Sequence, residues 1–71
     1  MNFCDRLKEL RLSKGLTQKA IADSVGMALV AYQRYEYGTR EPAFSKLLAL
    51  ASFFDVSLDY LCGLSDVPER R

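Results

Sequence analysis

Apolar positions along the chain recur every three to four residues, the period of a helix that buries one face. Phe3, Leu7 and Leu10 define the first such face, with Arg6, Lys8, Glu9 and Arg11 between them. Asn2 is placed to cap its start, and Asp5 falls in the first turn, where the helix dipole favours a carboxylate. Lys14-Gly15 is a C-terminal signature, so the spacing predicts a helix over 3–14. Thr17 is an N-cap for a short second helix over 18–25, striped by Ala20, Ile21 and Val25 and stopped by Gly26. Met27, Ala31, Tyr32 and Tyr35 share the face of a third helix, which Gly38 ends. Thr39-Arg40-Glu41-Pro42 reads as loop, because the proline ring disfavours helical backbone at the residue before it. Leu47, Leu48, Leu50, Ala51 and Phe54 outline a fourth helix over 44–54, and Asp55-Val56 breaks it. Ser57 caps a fifth that runs to Leu61 before Gly63. The polar tail from Ser65 to Arg71 contains Pro68 and is expected to fray. No strand-like alternation of useful length interrupts this pattern. The fold class it predicts is all-α, five short helices around one core.

Composition narrows the chemistry. The 71 residues leave room for one domain, at roughly 100–200 residues each. With 49% hydrophobic and 27% charged residues, the chain has globular rather than disordered composition. Ten Lys and Arg against nine Asp and Glu leave +1, too little to hold a polyanion by bulk charge alone. The charge is uneven, however. Residues 6–46 hold eight basic and four acidic side chains, and residues 47–71 hold two basic and four acidic, so the first stretch carries +4 and the second −2. No apolar run approaches the ~20 residues that span a bilayer, and residues 1–25 lack a signal-peptide core, so a soluble cytoplasmic protein is expected. There is no His, which excludes a His-dependent triad. Cys4 and Cys62 cannot by themselves complete a four-ligand Cys/His zinc site. No catalytic residue, metal or cofactor is assigned, and an enzyme is not expected. Both thiols are expected to be free, with a single disulfide as the alternative.

Two short helices joined by Gly26-Met27-Ala28 have the layout of a helix-turn-helix, and small Ala22 lets the second helix approach the third. The strings GLTQKAIADSVG, YQRYEYGTREP and LLALASFFDVSLDYL carry a more specific signal. Over about residues 3–62 the chain resembles the lambda-repressor/Cro-like, or Xre, helix-turn-helix family. The resemblance includes the Gly-Leu-Thr-Gln entry to helix two, the Glu-x-Gly exit from helix three, the Pro before helix four and the Val-Ser-Leu-Asp entry to helix five. It implies a compact five-helix, lambda-repressor-like DNA-binding domain over 1–64, with helix two at 17–25 and the recognition helix at 28–37, followed by a polar tail at 65–71. It also implies a bacterial or phage-encoded, sequence-specific transcription regulator, with repression as the expected mode.

By the same resemblance, Leu29, Val30, Gln33 and Arg34 match base-reading positions; Arg suits guanine and Gln suits adenine. Gln18 matches a phosphate anchor that also braces helix three. Thr17, Lys19, Tyr37, Arg40 and Lys46 are the further phosphate candidates, and Arg11 and Glu36 match a structural ion pair between helices one and three. Plainer readings stand beside these: a solvated face for Gln18, Gln33 and Arg34, a surface pair with Glu41 for Arg40, and core packing for Tyr32 and Tyr35. Ala28-Leu29-Val30 departs from the family, which commonly carries polar residues there. Three outcomes are open for it: contact with thymine methyls, a protein-contact patch, or burial in the core. The second function class is therefore a protein-interaction module of the same fold, such as an antitoxin or accessory regulator with a protein partner. Double-stranded DNA is the expected partner of the first class. One small module buries only roughly 600–1,000 Å², so a homodimer is expected, with Leu61, Leu64 and Val67 as candidate contacts.

Overall fold

Side chains that accept from backbone N–H groups start three of the five helices. Asn2 Oδ1 accepts from Asp5 N at 2.9 Å and opens α1 (Phe3–Ser13). Thr17 Oγ1 accepts from Ala20 N at 3.0 Å and opens α2 (Gln18–Ser24). Ser57 Oγ accepts from Tyr60 N at 3.0 Å and opens α5 (Leu58–Leu61). Each contact satisfies one of the donors that a helix start leaves orphaned. α3 (Leu29–Tyr37) and α4 (Phe44–Phe54) begin at Ala28 and Ala43 with no side-chain cap. The computed structural model describes residues 1–69; Arg70 and Arg71 of the tail lie outside the described residues. α1 and α2 each end one residue earlier than their periodicity predicts, at Ser13 and Ser24, with Lys14 and Val25 as their C-caps.

Leu7, Ile21, Tyr32, Leu50 and Leu61 are the largest fully buried side chains, and together they draw on all five helices. α3 packs against both α1 and α2, while α5 bridges α1 and α4. Ala22 is fully buried, and its small side chain leaves room for α3. Held on two sides, α3 turns its remaining face outward. Gly38 closes it in the left-handed region, with φ +79°, and donates its N–H to Arg34 O. A side chain there would be strained and would also meet Cys4 Sγ at 3.2 Å.

Three sequence expectations need correction. Leu61 is fully buried in the core and cannot serve as a dimer contact. Asp55-Val56 ends α4 as expected: Asp55 adopts φ 55° and turns the chain, and Val56 is buried beyond it. The tail does not leave the body at Ser65. Ser57 N donates to Pro68 O at 2.9 Å, Ser57 Oγ donates to Val67 O at 3.4 Å, and Asp66 pairs with Arg6 at 3.5 Å. Arg6, read as a polar position between apolar ones, is only 4% exposed. Its guanidinium carbon lies 3.7 Å from the centroid of the Tyr60 ring, a cation–π contact that joins α1 to α5. Its Nε is buried without a hydrogen bond. Cys4 and Cys62 are free thiols, and burial, followed by the charge of Asp59, pushes the Cys62 thiol up. Among the described residues, no helix is long and apolar enough to cross a membrane.

Candidate nucleic-acid interface

The polar centre of the molecule is one carboxylate. Glu36, near the end of α3, is buried, and its two oxygens accept four bonds. Oε2 accepts from Arg11 Nε at 2.7 Å and from Tyr32 Oη at 2.5 Å. Oε1 accepts from Arg11 Nη2 at 3.1 Å and from Gln18 Nε2 at 3.3 Å. Four bonds saturate the acceptor capacity of a carboxylate, and the fork of Arg11 meets it in bidentate geometry. Burial alone pushes the Glu36 carboxyl up, but the donors from Arg11, Tyr32 and Gln18 outweigh it and hold the group below its usual value. Burial and the neighbouring carboxylate push the Tyr32 phenol far above its ordinary range. Arg11 also donates to Leu16 O at 3.1 Å, which ties the α1–α2 connection to the same cluster.

The cluster extends to the surface. Gln33 Nε2 donates to Gln18 Oε1 at 3.1 Å, so the start of α2 is joined to the outward side of α3. Beside it opens a cleft of about 450 Å³ lined by Lys8, Arg11, Leu16, Thr17, Gln18, Glu36 and Tyr37. The structure thus brings together Thr17, Gln18, Gln33 and Tyr37 from the sequence candidates, around the Arg11–Glu36 pair. Thr17 spends its hydroxyl oxygen on the α2 cap, which leaves the hydroxyl hydrogen to donate outward. Lys8 was missed by sequence reasoning. Its signal was its place three residues before Arg11, on the same side of α1.

The other candidates lie outside the cleft. Leu29 and Val30 are 39% and 56% exposed, which removes the core reading and leaves an apolar patch at the start of α3. Arg34 is exposed one turn after Val30, and Gln33 is half-buried one turn after Leu29. Lys19 is exposed and pairs with Asp23 at 3.0 Å, a surface contact worth little and easily exchanged for another anion. Arg40 is exposed in the α3–α4 loop and forms no ion pair with Glu41. Lys46 is half-buried in the first turn of α4. Tyr32 and Tyr35 are core residues, and Tyr35 meets Phe3 edge-on at 6.5 Å; neither is available for stacking.

Comparison with known proteins gives a consistent picture. A family model described as helix-turn-helix matches residues 7–61. The chain is 40% identical over 69 residues to YobD of Bacillus subtilis, named an uncharacterized HTH-type transcriptional regulator, covering 97% of this chain and 62% of that protein. It is 35% identical over 63 residues to RstR of Vibrio cholerae, named a cryptic phage CTXphi transcriptional repressor, covering 89% of this chain and 56% of that protein. The chain therefore spans somewhat over half the length of these curated relatives. Among solved structures, the P22 c2 repressor in complex with a synthetic operator superposes with a TM-score of 0.85 at 29% identity, covering 92% of this chain and 98% of that one.

Proposed function

Because the chain belongs to the lambda-repressor/Cro-like (Xre) helix-turn-helix family, we propose that it is a sequence-specific DNA-binding transcription regulator, acting as a repressor, with α3 in the major groove. Members of this family are DNA-binding regulators rather than enzymes. One observation carries the reading: the Gln33–Gln18 hydrogen bond makes the exposed side of α3 continuous with the polar cleft at the start of α2. A duplex engaging that surface meets base readers and backbone anchors in one footprint.

In this reading Arg34 takes guanine by a bidentate contact, Gln33 reads an adjacent base edge, and Leu29 and Val30 lie against thymine methyls. Thr17, Gln18 and Tyr37 hold phosphates along the cleft, with Lys8 joining them; Lys19, Arg40 and Lys46 add cations on either side. Arg11 and Glu36 hold α1 and α3 in register and touch no DNA. Two copies bind a pseudo-palindrome of double-stranded DNA in the bacterial cytoplasm, each on one half-site. The test is selection of bound duplexes from a random pool, followed by salt titration of the best site. Selective binding is expected, with log affinity falling by about 0.9 per phosphate for each decade of salt. A chain that enriches no sequence from the pool contradicts this function.

The exposure of Leu29 and Val30 favours a second reading, a protein-interaction module that uses Ala28-Leu29-Val30 on a partner. Leu29→Ala separates the two. Weakened operator binding supports the first, and unchanged binding with loss of a protein contact supports the second.

A further inference from the structure

A second groove, of about 430 Å³, opens between α4, α5 and the tail, and no residue proposed to touch DNA lines it. Leu48 and Ala51 of α4, with Val56 and Leu58, give it an apolar floor, and Val67 of the tail stands as one wall. That wall is held in place from below. Ser57 donates its N–H to Pro68 O and its hydroxyl to Val67 O. One turn before Leu48, on the same side of α4, Phe44 is 67% exposed and carries the apolar strip beyond the groove. The rim is acidic. Asp59 and Glu69 line it, and among the described residues no Lys or Arg does. Neither carboxylate has an ion-pair partner among those residues.

We propose that this groove docks an apolar segment of a partner protein bordered by lysine or arginine, while the DNA-facing surface stays free. Burial of Phe44, Leu48 and Val67 under such a segment supplies the driving force. The rim carboxylates choose among apolar segments by sign, since a cation beside them is favoured and an anion is repelled. A second copy of the chain is a poor occupant. In a two-fold pairing the same patch meets itself, so the rim carboxylates of one copy would face those of the other. A head-to-tail pairing would need the basic stretch of the second copy, residues 6–46, which is the part proposed to hold DNA. A basic segment from another protein meets neither obstacle. Because the groove and the DNA-binding candidates share no residue, both surfaces can be occupied together.

The experiment immobilises the full chain and exposes it to a random peptide library at low salt. Enriched sequences are resynthesised and titrated by fluorescence anisotropy. They are expected to carry leucine, isoleucine or phenylalanine at the centre and lysine or arginine at the flanks. Leu48→Ser should lower their affinity about tenfold, as loss of a central apolar contact does. Asp59→Asn combined with Glu69→Lys should lower it about fivefold at low salt, and the difference should shrink as salt screens the rim. All three side chains are exposed, so the variants should keep the fold, read by circular dichroism. A library that enriches nothing, or that enriches acidic or uncharged peptides, overturns the proposal. Peptides whose affinity ignores both sets of substitutions overturn it as well, because they bind elsewhere. Sedimentation of the chain alone closes the test: self-association that Leu48→Ser abolishes makes a second copy the occupant and overturns the proposal. A chain that binds no duplex contradicts the proposed function and leaves each of these outcomes readable.

Discussion

At the scale of single residues, Glu36 carries the largest stake. Removing it leaves Arg11 with no ion partner at a largely buried site, and breaking a buried pair from one side costs about 3–5 kcal/mol. Glu36→Ala is therefore expected to lower the urea midpoint substantially, whereas Glu41→Ala, at an exposed loop position, should stay within about 0.5 kcal/mol of wild type. Equal shifts would contradict the geometry. The same cluster sets the pH limits. Glu36 is held below its ordinary value, so its stabilisation is complete above the unfolded carboxylate pKa and is lost as pH falls through the lower folded value. Tyr32 is displaced upward, so its contribution is complete below the ordinary phenol pKa and is lost as pH rises beyond it. Tyr32→Phe deletes one donor to Glu36 and the titrating phenol together. Its acid unfolding midpoint should move to higher pH and its alkaline limb should flatten, both measurable by circular dichroism across a pH series.

At the scale of elements, α3 divides its labour by face. The side toward α1 and α2 holds Tyr32, Tyr35 and Glu36, all buried, and the outward side holds Leu29, Val30 and Arg34. Arg34→Ala is expected to leave the thermal midpoint in place and to relax base preference at one operator position by about 1–3 kcal/mol, read from a single-base panel. Leu29→Ala should weaken specific binding without changing the salt slope, because an apolar contact releases no counterion. Arg40→Ala should do the reverse, lowering the slope by about one unit if it holds one phosphate. The pair is read in one salt titration, and a slope that moves with Leu29 instead of Arg40 would sink the division between base and backbone contacts. Exposure already predicts that Leu29→Ala will not unfold the domain, since a 39% exposed leucine lacks the burial that makes core truncations costly.

At the scale of the whole molecule, the longest extent is 29 Å, against about 34 Å for one turn of DNA. Two copies on successive half-sites, as proposed above, would therefore stand almost edge to edge. Of the three dimer candidates, Leu61 is committed to the core, while Leu64 is 80% exposed and Val67 lies on the tail that folds back over Ser57. Leu64→Ser is expected to keep the thermal midpoint and to convert two-copy operator binding into single-site binding, as seen by sedimentation of the protein–DNA complex. Retention of the two-copy complex would place the contact elsewhere. The clasp of Arg6 with Tyr60 and Asp66 bears on the same region, because it anchors the segment from which Leu64 projects.

What the sequence determined by itself was local. Helix positions followed from three-to-four spacing, and the caps Asn2, Thr17 and Ser57 followed from side chains that bond to backbone three residues ahead. Those interactions are written in neighbouring residues, so they could be read without a fold. The helix-turn-helix strings added the layout of the candidate site, including the pairing of Arg11 with Glu36, two side chains 25 residues apart whose meeting no local spacing implies. The tertiary structure decided what depends on distant partners. Arg6 falls on the apolar face between Phe3 and Leu10, but only the arrival of Tyr60 and Asp66 explains why a charge is tolerated there. Leu61 and Leu64 look alike in the sequence, and the packing of α5 against α1 and α4 buries one and exposes the other. Gln33 could be read as a solvated surface amide, and the fold instead joins it to Gln18, which is itself bonded to a buried carboxylate. The partners in that chain of bonds stand 15 and 18 residues apart, so only the packing of α2 against α3 could bring them together.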